Sequence, residues 1–173
     1  MSVSRSQLLR SRAHAFCNAF LESTPPTQIL DQFFTECPSI TEHGPAWASD
    51  RLPFLGKTFT GRREQQSSQS PTCDDYFSLL GETLVFEPSK DTFPLEEGFI
   101  VDPSTKLAGE SVGVGGAVSV VAHATFKSIK TGKSWKEQFI YRLSGFDREG
   151  RIGHWEIWAD PLSAWVAVGE EQQ

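Results

Sequence analysis

Apolar residues recur at two different periods along this chain, and the change of period divides it. Near the start, Leu9, Ala13, Phe16 and Phe20 fall three or four residues apart, which predicts an amphipathic helix over Ser6–Leu21 with one core-facing stripe. Thr24 and Pro25 offer a cap and a first helical position, and Ile29, Leu30, Phe33 and Phe34 supply the buried face of a shorter helix ending near Pro38. In the last third the period becomes two. Val118, Val120, Ala122, Ala124 and Phe126 alternate with Ser119, Val121, His123, Thr125 and Lys127, so a long strand is predicted over Ala117–Ile129. Lys130-Thr131-Gly132-Lys133 turns it into a second strand, on which Trp135, Glu137, Phe139, Tyr141 and Leu143 share one parity. Phe146-Asp147-Arg148-Glu149-Gly150 reverses the chain again, and on the third strand His154, Glu156, Trp158 and Asp160 share a parity.

The middle is more broken. Ser39–His43 alternates polar and apolar before Gly44-Pro45, as a short strand does. No pattern assigns Trp47–Thr60, and Arg62–Pro71, rich in Arg, Gln and Ser, is expected to be a mobile surface loop. Thr72 and Asp75 have the form of a capping pair for a helix over Cys73–Leu80 stopped by Gly81. Leu84–Phe86 and Phe99–Val101 read as strands. Gly109–Gly116 carries four glycines but no phosphate-loop lysine, so it is expected to be a flexible turn and not a nucleotide site. After Pro161, Leu162–Val166 is apolar enough to pack on the body, and Gly169–Gln173 is expected to fray. Three helices first and about six mostly antiparallel strands later indicate α+β.

Length and charge narrow the field. The 173 residues suit one domain spanning the whole chain. A net charge of -6 argues against nucleic acid, whose binders cluster Lys and Arg. The three cysteines Cys17, Cys37 and Cys73 have no metal-ligand spacing, and no apolar run approaches the ~20 residues of a membrane span. Expectation is therefore a cytoplasmic protein with no cofactor, no metal and no membrane or nucleic-acid partner.

The run Gly145–Ile152, followed by His154-Trp155-Glu156-Ile157-Trp158-Ala159-Asp160, resembles the closing strands of NTF2-like proteins, and within them the SnoaL-like polyketide cyclases and small isomerases of fungal secondary metabolism. That resemblance implies a curved sheet wrapped around the helices as a cone or barrel with a central cavity. It also implies cofactor-independent isomerisation, cyclisation or dehydration of a small hydrophobic metabolite, such as a polyketide or terpenoid intermediate.

Candidate chemistry gathers on the final strands. Glu156 between Trp155 and Trp158 would have a raised pKa if buried and would suit proton transfer near neutral pH; on the outer face it would simply be solvated. Asp160 matches an acid found at that place in the family, or else opens the turn into Pro161. His43, His123 and His154 are the other proton-transfer candidates. Trp158, Tyr141, Phe139, Tyr76 and His154 are the candidate substrate-binding residues, several of which could instead fill the core. A non-catalytic module of the same fold, binding a ligand or a protein, is the competing reading. A homodimer is expected in either case, joined through an outer sheet face carrying Trp155, Ile157, Ile140 and Val121.

Overall fold

The computed structural model describes residues 3–65, 70–106 and 114–169. Its elements run α1 (Arg5–Leu21), α2 (Pro26–Phe33), β1 (Phe34–His43), β2 (Thr58–Thr60), α3 (Cys73–Thr83), β3 (Leu84–Glu87), β4 (Ile100–Asp102), β5 (Ala117–Ser128), β6 (Ser134–Ser144), β7 (Ile152–Trp158) and α4 (Pro161–Val168). The architecture is α+β, as expected, with four α-helices and seven strands among the described residues. The sheet order is β2-β1-β7-β6-β5-β3, with β4 also paired to β5. Among the described residues, all strand–strand pairings are antiparallel except β1 with β7. Among the described residues the sheet does not close on itself.

The helix α1 begins where Ser4 and Gln7 form a capping box, and it buries Leu9, Ala13, Phe16, Cys17 and Ala19. Phe16 meets Phe33, Phe34 and Trp155 edge to face, at centroid distances of 5.9, 5.5 and 5.2 Å. This aromatic node ties the first helix to the last strand, so truncating Phe16 to alanine would cost about 3–5 kcal/mol. Gly116 (φ +100°) lets the start of β5 approach α1, because a Cβ there would lie 2.5 Å from Leu9 Cδ1. Among the described residues, no helix is long and apolar enough to cross a membrane.

Several boundaries differ from the pattern. Pro25 is the cap of α2 and Pro26 its first residue. The helix ends at Phe33, and β1 runs through Pro38, where its register with β7 shifts between Phe34 and Ser39. The helix α3 does start with the Thr72–Asp75 capping box, but it continues past Gly81, which faces open space. The segment after Pro161 is a helix capped by Asp160, whose carboxylate accepts from the Leu162 and Ser163 amides. Arg62, expected in a loose loop, is pinned by ion pairs to Asp31 and Asp74, while residues 66–69 of that loop lie outside the described residues, as do 109–113 of the glycine-rich turn and 170–173 of the tail.

Candidate active site

Between the concave face of the sheet and the helices lies a cavity of about 430 Å³. Leu52, Phe54, Tyr76, Tyr141 and Trp155 wall its buried end, and the exposed Pro26, Gly81 and Val85 mark its mouth. Trp155 is the central ring, edge-on to Tyr141 at 5.0 Å and to Tyr76 at 5.8 Å. Its indole nitrogen is buried and has no hydrogen-bond partner among the described residues.

Three carboxylates enter this aromatic space: Glu42, Glu137 and Asp160. Glu42 follows Ile40 by two residues on β1 and therefore shares its inward face. It is only 8% exposed and accepts a 2.7 Å hydrogen bond from the Tyr76 hydroxyl. Burial pushes its carboxyl from the usual 4.5 up to about 7; the Tyr76 bond offsets this in part, and the charge of Glu137 adds to it. Glu137 projects from β6 with Phe139 and Tyr141. Its Oε2 accepts from the Trp135 indole at 2.7 Å, and burial, reinforced by the charge of Asp160, likewise carries it to about 7 despite that hydrogen bond. Asp160 differs: the Ser163 hydroxyl and the amides at the start of α4 hold it below the ordinary carboxylate range.

The cavity brings together Tyr76, Phe139, Tyr141 and Asp160 of the residues expected to form a site. Glu156, His43, His154 and Trp158 lie on the opposite, outer face. The pairing of β6 with β7 is the reason: Tyr141 is opposite Ile157 and Leu143 opposite Trp155, so Trp155 and Ile157 point inward and are buried. This corrects both the expected cavity position of Glu156 and the expected outer position of Trp155 and Ile157. Asp160 reaches the cavity although it shares parity with Glu156, because β7 ends at Trp158.

Glu156 and His43 do meet, on the outside. His43 Nε2 is 3.1 Å from Glu156 Oε1, and Arg142 donates to Oε2 at 2.6 Å. Burial alone would raise the Glu156 carboxyl, but these bonds and the surrounding charges bring it below its usual value. His43 stacks on Trp158 at 4.1 Å. His154 touches Thr41 at 3.0 Å, and burial lowers its pKa. His123 is elsewhere on the outer surface, 3.7 Å from Asp91, so the expectation that it shares a cavity with Glu156 is also corrected. Glu42 and Glu137 are the acids that reading for aromatic flanks passes over; strand parity with Ile40 and with Phe139 is the signal that finds them.

The arrangement of helices against a curved, mostly antiparallel sheet is one that solved structures share. The chain resembles an NTF2-like protein from Burkholderia xenovorans LB400 (14% identity, 95% of this chain and 98% of that one, TM-score 0.61). It also resembles a ketosteroid isomerase-like protein from Erwinia carotovora atroseptica SCRI1043 (12%, 92% and 98%, 0.56). A candidate polyketide cyclase from Xanthomonas campestris pv. campestris is similar over 96% of this chain and 100% of that one (11% identity, TM-score 0.57). No family model and no curated protein matches the sequence. The fold is NTF2-like.

Proposed function

We propose that the chain is a cofactor-independent isomerase or cyclase, or a dehydratase, that moves a proton on a small hydrophobic metabolite such as a polyketide or terpenoid intermediate. The observation that carries this reading is Glu42, buried at the end of an apolar cavity beside the Tyr76 hydroxyl with its carboxyl at about 7. Such a group exists in both protonation states near neutral pH, so it can remove a C–H proton and return it elsewhere. As the proton leaves for the Glu42 carboxylate, the C–H electron pair forms the enolate C=C bond and the π pair of the neighbouring carbonyl moves onto its oxygen. Tyr141 lines the same cavity and makes no side-chain hydrogen bond among the described residues, so its hydroxyl serves as the donor to that developing charge.

Solvent hydrogen–deuterium exchange into β-tetralone, a planar ketone with acidic C–H bonds, tests the chemistry without a known substrate. The protein should accelerate exchange, and Glu42→Gln should remove about 10²–10⁴-fold of that acceleration. No acceleration, or undiminished exchange by Glu42→Gln, would overturn the proposal.

A homodimer through the outer sheet face belongs to the same reading. Its support is a continuous row, with Val121 opposite Ile140 and Ile140 opposite Trp158, exposed by 59%, 42% and 39%. Sedimentation at micromolar concentration should give a dimer, and a monomer would count against it. A reducing, cytoplasmic setting is also part of the proposal, supported by three unpaired cysteines.

A further inference from the structure

We infer that the cavity is built for a ligand bearing a protonated amine on a flat apolar skeleton, with Glu137 as the ammonium anchor. The inference rests on the cavity being the substrate site and names the chemistry it selects. Three carboxylates line the space, and among the described lining residues there is no lysine, arginine or histidine. Each acid stands in the field of another: the charge of Asp160 raises Glu137, and that of Glu137 raises Glu42. The outer-face acid Glu156 has its arginine, whereas among the described residues these inner acids have only neutral donors.

Glu137 is the member of the trio with room for a cation. Both Asp160 oxygens are occupied, Oδ1 by the Leu162 and Ser163 amides and Oδ2 by the Ser163 hydroxyl. Glu42 accepts from Tyr76 on Oε2 and is only 8% exposed at the closed end of the cavity, whereas Glu137 is half-buried. Glu137 accepts from the Trp135 indole on Oε2 and from the Asp160 backbone, which leaves part of the roughly four-site acceptor capacity of a carboxylate for a cation. Around it, Trp135 and Phe126 are stacked at 5.8 Å and both line the cavity, as do Phe86 and Phe139. Aromatic faces attract a cation most when it is desolvated, and an ammonium ion beside Glu137 favours its charged carboxylate form, which adds to the attraction. Anionic ligands, including carboxylates and phosphate esters, meet the opposite field and no counter-charge.

Isothermal titration of the full chain near neutral pH with three naphthalenes of one shape tests this: naphthylmethylamine, naphthalenemethanol and naphthoate. The amine should bind about tenfold or more tighter than the alcohol, and naphthoate should bind weakest. Glu137→Gln should bring the amine and alcohol close to parity, while Glu156→Gln on the outer face should leave their ratio unchanged. An alcohol or naphthoate that binds as tightly as the amine, a ratio that survives Glu137→Gln, or no binding of any probe overturns the inference. These are equilibrium measurements, so they fail separately from the proposed reaction. Lost amine preference with exchange still dependent on Glu42 would leave the reaction standing, and the reverse result would leave the amine site standing.

Discussion

Glu42 and Glu156 make a natural comparison, because they are nearly neighbours and chemically alike. On the parallel strands β1 and β7, Thr41 is opposite Glu156 and Glu42 opposite Ile157, so one step along the strand separates the two acids and turns them to opposite faces. Little of either is open to water. What differs is company: the inner acid has a tyrosine and another acid within its field, and the outer one has an arginine and a histidine. Their carboxyl groups therefore move in opposite directions from the same starting value. A buried acid without a cation is held ready to exchange a proton, whereas the same acid with a cation becomes a structural ion.

Exchange kinetics give the widest separation between the two. Glu42→Gln should lose about 10²–10⁴-fold of the β-tetralone exchange rate, whereas Glu156→Gln should retain it within about twofold. Equal losses in both variants would break the comparison.

Stability against pH comes next in size. Glu42 is raised from 4.5 to about 7 in the folded state, so the folded protein holds this proton more tightly than the unfolded chain does. The stability it contributes is complete below about 4.5 and is lost as pH rises to about 7, a change of about 3 kcal/mol. Denaturation across that window should show Glu42→Gln gaining by about this amount relative to the natural chain between the acid and alkaline ends. A constant difference would mean that Glu42 titrates normally.

Tyr76→Phe sharpens the inner half of the comparison. The tyrosine bond favours the charged form of Glu42, so its loss should move the pH midpoint of exchange upward by about one unit. A downward shift would show that the hydroxyl stabilises the protonated acid instead.

How much of this is legible in the chain depends on the strand. On β5 and β6 the alternation of Val118 to Phe126 and of Trp135 to Leu143 identifies the inward faces directly, and Glu137 sits in that inward set. On β7 each parity carries a tryptophan, so aromatic content does not choose between Trp155 with Ile157 and Glu156 with Trp158. Only the register with β6 decides. Glu42 is legible from its spacing to Ile40, although the pattern says nothing of Tyr76, which arrives from a helix 34 residues away. Pro38 misleads because it lies in the register shift of β1, where a strand tolerates proline, and Gly81 because a glycine inside a helix costs only about 1 kcal/mol and α3 runs on to Thr83.

The smallest effect belongs to the outer acid. Arg142 and His43, the partners of Glu156, keep 33% and 37% of their side chains in solvent, so their attraction is screened and offset by the order it demands. Glu156→Gln should cost about 1 kcal/mol or less near neutral pH. Because the Glu156 carboxyl is lowered in the folded state, this contribution is present above the ordinary carboxylate range and disappears as pH falls through it. It should also shrink in about 1 M salt, where the screening length is about 3 Å. Urea titrations at low and high salt read both dependences. Under the same conditions the pH-dependent gain from Glu42→Gln should respond less to salt, since it arises chiefly from removing a carboxylate from water and not from pairing it. A salt-insensitive loss of several kcal/mol at Glu156 would show that the outer ion pair, and not the inner cavity, is the electrostatic centre of the fold.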